Sequence, residues 1–146
     1  MTDESHYPLH AADLLTRRAA LTPDRAALVD VYTGITYTYG ELNARANRLA
    51  NWLRGLGVEK GDRISILAHN CIHYVDLLYG LAKIGAILTP LNWRLTAREL
   101  SYIVEDCAPK VLICGPEFAD LLAEIRCELD SPIIVSIEDA PIDDAL

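Results

Sequence analysis

The chain has 146 residues, with 21 Asp and Glu against 13 Lys and Arg and a net charge of −8. A length of this order fits one domain. No basic field exists to neutralise phosphates, so nucleic-acid binding is disfavoured. Hydrophobic residues make up 51% and charged residues 23%, which excludes general disorder.

Residues 1–9 read as a polar N-terminal tail. Met1 to His6 has no basic segment followed by an apolar run, so it lacks a signal-peptide pattern. The most apolar stretch, Leu77 to Leu91, is interrupted by Lys83, Gly80, Gly85 and Pro90. It falls short of the roughly 20 residues a membrane helix needs. The expectation is a soluble, cytoplasmic protein.

A first helix is expected over His10–Ala20, before the Leu21-Thr22-Pro23-Asp24 turn. Strand signals follow at Ala26–Val29 and Ile35–Tyr37. The Gly-containing link Asp30–Gly34 between them reads as a β-hairpin. Thr38 and Glu41 then form a T-x-x-E capping box. The helix behind it places Leu42, Ala46, Leu49, Ala50, Leu53 and Leu56 on one stripe. Arg45, Arg48, Asn51 and Arg54 are expected mostly on the other face. Gly57 suits a left-handed C-terminal cap.

Four further strand signals are Ile64–Leu67, Ala86–Leu88, Val111–Cys114 and Ile133–Val135. Helical stretches Ile72–Ile84, Ala97–Asp106 and Glu117–Leu129 lie between them. Asn70 is the expected N-cap of the Ile72 helix, and Thr96 with Glu99 makes a second capping box. The alternation predicts βαβ units: an α/β fold with a mostly parallel sheet flanked by helices, preceded by the hairpin. The acidic residues 138–146 read as a linker.

In such a sheet, ligands bind beyond the carboxyl ends of the strands. The relevant loops follow Leu67, Leu88, Cys114 and Val135. No phosphate-loop or dinucleotide fingerprint is present. Gly55–Gly61 is glycine-rich, but it follows a helix and precedes a strand, the wrong order for a phosphate cradle. His69 and His73 have no ligand set beside them, so no metal site is signalled. Cys71, Cys107, Cys114 and Cys127 show no C-x-x-C pair and read as buried thiols. Trp93 reads as a packing anchor. Arg94 is either a solvated surface charge or a phosphate contact. Spacing alone assembles no nucleophile with a base.

The segment Thr36 to Ala50 (TYTYGELNARANRLA) resembles the "TYxELxxxxNRLA" segment of AMP-forming adenylating enzymes, the family of acyl-CoA synthetases, luciferases and peptide-synthetase adenylation domains. Gly57 to Ile64 is similar to "GVxxGDRV", and Lys83 to Asn92 to "KxGAxxxPLN". The likeness covers residues 10–137. The form Pro90-Leu91-Asn92-Trp93-Arg94-Leu95-Thr96 resembles the acyl-CoA synthetases more than the "PLDPxxPxxR" of peptide-synthetase domains.

The resemblance implies the N-terminal α/β subdomain of the acyl-CoA synthetase fold. It also implies a parent enzyme using ATP, Mg²⁺ and coenzyme A to convert a carboxylic or fatty acid into its acyl-CoA, with AMP and pyrophosphate as products. No catalytic residue of that family falls in this chain, because its phosphate loop and catalytic lysine would lie beyond Leu146. The remaining subdomains of the same polypeptide are therefore the expected partners, and 1–146 alone is expected to be inactive. An apolar surface left for those subdomains makes homodimerisation an expectation too. The one ligand contact the resemblance implies is Arg94, on a coenzyme A phosphate. The alternatives are a stand-alone α/β binding or interaction module and a piece of a peptide-synthetase adenylation domain.

Overall fold

The computed structural model describes residues 11–126 and 132–140. The described elements run α1 (Ala11–Leu21), β1 (Ala26–Val29), β2 (Thr36–Thr38), α2 (Tyr39–Gly55), β3 (Arg63–Leu67), α3 (Ile72–Ile84), β4 (Ile87–Pro90), α4 (Ala97–Cys107), β5 (Val111–Cys114), α5 (Ala119–Arg126) and β6 (Ile133–Ser136). β1 and β2 pair antiparallel as the expected hairpin. The other four strands form one parallel sheet in the order β4-β3-β5-β6.

Side chains leave β3 on alternate faces, as a strand requires. Ile64 and Ile66 enter a core with Leu49 and Leu53 of α2 and Leu77 and Leu81 of α3. Leu67 enters the opposite core, with Leu100 and Val104 of α4 and Leu122 and Ile125 of α5. The sheet therefore lies between two helical layers, which accounts for the continuous burial of β5. The division of helices follows from connection handedness. The step from β3 to β4 moves one way across the sheet, and the steps to β5 and β6 move the other way. Right-handed crossovers then put α3 on one face and α4 and α5 on the other.

Both capping boxes form as the sequence implies. Thr38 Oγ1 accepts from the Glu41 amide while Glu41 accepts from the Thr38 amide, and Thr96 and Glu99 do the same for α4. Gly57 lies in the left-handed region, with φ of 82°, just after α2. Element ends shift by a residue or two, as frayed ends do. β4 runs to Pro90, which an edge strand tolerates because one side of it needs no amide partner.

Four expectations are corrected. Arg45 is not on the outer face of α2. It is 6% exposed and donates through Nε and Nη2 to Asp76 of α3, at 2.9 and 2.7 Å, with Asp76 1% exposed. The reason is positional: Arg45 lies three residues after Leu42 and four before Leu49, inside the apolar stripe. Asn70 does not cap α3. The cap position is Cys71, which makes no side-chain cap bond, because the helix starts one residue too late for Asn70 to reach it. The stretch expected as one helix from Glu117 begins with a 3-10 turn, Pro116–Phe118, before α5. Pro116 presets that first turn, where its missing amide costs nothing. Leu129, Cys127 and His10 lie outside the described residues. The cysteines also divide: Cys114 is buried, whereas Cys71 and Cys107 are only half-buried.

α2 and α3 approach closely at Gly80. A Cβ there would lie 3.0 Å from Leu49 Cδ2 and 3.1 Å from the Ala46 carbonyl oxygen. That approach brings Arg45 and Asp76 into a bidentate pair away from water. Tyr37 of β2 lies against the Arg45 guanidinium, 5.3 Å from ring centre to Cζ. The acidic stretch after β6 begins with a 3-10 turn, Ile137–Asp139, in which Ser136 Oγ accepts from the Glu138 amide. Ala140 is buried against the α2–α3 core.

Asp76→Asn should destabilise the fold by about 3–5 kcal/mol, because it leaves the Arg45 charge buried without its counter-ion. Urea denaturation of the variant and the parent chain measures this. Replacing both partners, Arg45→Met with Asp76→Leu, should recover most of the loss.

Candidate functional site

The sheet order creates one place where loops diverge. β3 and β5 are neighbours. The chain leaves β3 toward α3 on one face and leaves β5 toward α5 on the other. Such a reversal opens a crevice at the carboxyl ends of the strands. The loops beyond Leu67, Pro90 and Cys114 meet there, as the sequence leads one to expect. Among the described residues after β6, Ile137 packs against the α2–α3 core instead.

Three rings fill the crevice. His69, after β3, stands edge-on to Trp93, after β4, with centroids 4.5 Å apart. Phe118, after β5, lies 5.0 Å from His69 and 6.2 Å from Trp93. These separations are favourable for aromatic pairs. The His69 amide points to the Glu117 carboxylate, 3.5 Å away. Phe118 is buried and Trp93 is half-buried against the α4–α5 core. Trp93 is thus the packing anchor that the sequence suggests.

Arg94 stands on the outside of this stack. Its Cζ lies 4.2 Å from the Trp93 ring centre, a cation–π contact. Its amide donates to Asn92 Oδ1 at 3.1 Å, and the Leu95 amide donates to the Asn92 carbonyl. Asn92 therefore forms the turn that delivers Arg94 to the surface. The Thr96–Glu99 box then starts α4 two residues later.

A pocket of about 520 Å³ opens beside Arg94, lined by Tyr32, His69, Asn70, Trp93 and Arg94. Tyr32 reaches it from the hairpin link and is 92% exposed. Asn70, freed from any capping role, lines the pocket. The sequence singled out Arg94 but not Tyr32, His69 and Asn70 as its companions. Their signal is faint: polar and aromatic residues just past strand ends. A larger groove of about 800 Å³ runs along α4, but it is a shallow helix surface away from the ring cluster.

The pocket carries one permanent cation, an aromatic floor and amide and imidazole donors. That set suits an anionic group attached to something planar. It offers no activated nucleophile. Burial pushes the Cys71 thiol up, and pushes the Cys114 thiol up to about 11, the wrong direction for thiolate chemistry. Among the described residues, no three His, Cys, Asp or Glu side chains gather as a metal site. No described helix is long and apolar enough to cross a membrane.

Comparison with known proteins follows the same lines. A family model described as "AMP-binding enzyme" matches residues 15–145. A long-chain-fatty-acid–CoA ligase of Mycobacterium tuberculosis is 41% identical over 119 residues, covering 82% of this chain and 24% of that protein. The crotonobetaine/carnitine–CoA ligase of Salmonella typhimurium is 34% identical over 134 residues, covering 88% of this chain and 26% of its own. Among solved structures, an N-terminal domain of a Mycobacterium tuberculosis protein, FACL13, superposes with a TM-score of 0.84 at 35% identity, covering 92% of this chain and 36% of that one. An anthranilate–CoA ligase bound to anthranoyl-AMP gives a TM-score of 0.80 at 32% identity, covering 88% and 25%. The chain thus spans about a quarter of the length of the curated relatives it matches.

The helix that follows the Arg94 turn carries a pH-dependent cap. The Thr96 amide, and then its hydroxyl, hold the Glu99 carboxyl below the usual glutamate range. A depressed folded-state pKa contributes stability above the unfolded value of about 4.3, lost as pH falls through the folded value. Glu99→Gln should therefore lose less stability than the parent chain between pH 6 and pH 3. Denaturation midpoints at the two pH values test this; equal losses would contradict it.

Proposed function

Because the chain belongs to the AMP-binding enzyme family, we propose that it supplies the N-terminal α/β subdomain of an ATP-dependent, AMP-forming acyl-CoA ligase. The observation that carries this is a family match over residues 15–145 of a chain that spans about a quarter of the length of the curated relatives it matches. Residues 10–137 form the subdomain in this reading, and 138–146 lead toward the remainder of the polypeptide. In the reaction, a carboxylate attacks ATP, pyrophosphate leaves, and the coenzyme A thiol displaces AMP from the acyl-adenylate. Mg²⁺, when bound, neutralises phosphate charge in the first step. We assign that step to the remaining subdomains of the same polypeptide.

Several relatives differ in the acid but share coenzyme A, while a fatty acid–acyl-carrier-protein ligase of Streptomyces coeruleorubidus differs in the acceptor. Those that share coenzyme A include a long-chain-fatty-acid–CoA ligase, a crotonobetaine/carnitine–CoA ligase and an anthranilate–CoA ligase. The region they share with this chain therefore fits the common part of the reaction better than the choice of acid. Arg94 is the residue we assign to that part, as a contact to a coenzyme A phosphate. Its support is an exposed, permanently charged guanidinium beside the 520 Å³ pocket. The exposed Val29, Val31, Tyr32 and Ile35 of the hairpin support a surface that further chain, or a second copy, covers.

In the parent polypeptide, Arg94→Ala should raise KM for coenzyme A about tenfold, the value of one charge-assisted hydrogen bond, and leave adenylate formation unchanged. Steady-state kinetics with coenzyme A, beside ATP–pyrophosphate exchange, measure the two halves; an unmoved KM would sink the assignment. The purified 146-residue chain alone should show no ATP–pyrophosphate exchange with any carboxylic acid. Measurable exchange would refute the division of labour proposed here.

A further inference from the structure

An arginine at a protein surface samples many rotamers, and each one lost on binding weakens the contact. Arg94 is held before any ligand arrives. The Asn92 turn fixes its backbone. The Trp93 indole supports its guanidinium at 4.2 Å. The indole is itself held, because His69 meets it edge-on and Phe118 lies behind, both rooted at the ends of β3 and β5. The order is therefore rigid sheet, buried Phe118, half-buried Trp93, exposed Arg94.

We propose that Trp93 is the positioning residue for Arg94: its braced indole holds the guanidinium at the edge of the pocket in the plane an incoming phosphate meets. This rests on the reading of Arg94 as a phosphate contact. Trp93 also lines the pocket; the role proposed for it is the one it exerts through Arg94. A guanidinium whose Cζ sits over a ring keeps its N–H groups free at the ring's periphery. There they can pair with two oxygens of one phosphate. The aromatic face thus selects the ligating orientation without neutralising the charge.

A double-mutant cycle in the parent polypeptide tests this. Trp93→Leu should raise KM for coenzyme A about threefold, the size of an exposed cation–π contact. In an Arg94→Ala background the same substitution should add nothing. If Arg94→Ala leaves KM unmoved, the phosphate reading itself falls, and the positioning role with it. If Arg94→Ala raises KM but Trp93→Leu does not, only the positioning role falls. A Trp93→Leu effect of equal size in both backgrounds would also overturn it, since Trp93 would then act without Arg94. An independent measurement covers a Trp93→Leu variant that does not fold. In the NMR spectrum of the 146-residue chain, the Arg94 side-chain protons over the indole should be shifted upfield by its ring current. Random-coil positions for those protons would overturn the proposal.

Discussion

The buried Arg45–Asp76 pair is the constraint on which the arrangement of the first half depends. It joins α2 to α3 through two hydrogen bonds, and Tyr37 ties the hairpin to the same guanidinium. A buried pair of this kind adds little stability over an apolar pair of equal volume, yet it is costly to break. Its contribution is to fix which helix faces meet. With α2 and α3 set at the Gly80 approach, the hairpin link sits above the carboxyl end of β3, and Tyr32 reaches the pocket.

The second half follows from handedness. The reversal between β4 and β5 sends α4 and α5 to the face opposite α3. The loops after β3 and β5 then part, and His69 and Phe118 come to face the turn after β4. Packing and site are continuous here: the same Trp93 that closes the edge of the α4–α5 core carries Arg94 on its outer face. A site built this way inherits the rigidity of the sheet without a dedicated binding loop.

Much of this was legible in the residues. The capping boxes at Thr38 and Thr96 are local hydrogen-bond patterns that need no tertiary contact, and both formed. The strand signals are short apolar runs, and all four joined the parallel sheet, the central β3 and β5 buried and the edge strands β4 and β6 only partly so. Arg45 has the polarity of the outer face of α2 but a position inside its apolar stripe, and position decides its burial. Asn70 has the chemistry of a cap, but a cap depends on the start of the helix to within one residue, and Cys71 holds that place. Tyr32 and His69 were not legible as partners of Arg94, because they lie far from it in the chain.

The sequence by itself determined the element order, the caps, the α/β class and the family likeness, all of which are encoded in short windows. Only the tertiary structure decided that Arg45 is buried on Asp76, and that His69, Trp93 and Phe118 support one exposed arginine. The physical reason is separation along the chain. Asp76 lies on a different helix from Arg45, and the three rings come from three strand ends. Such groups meet only once crossover handedness and helix packing have been settled.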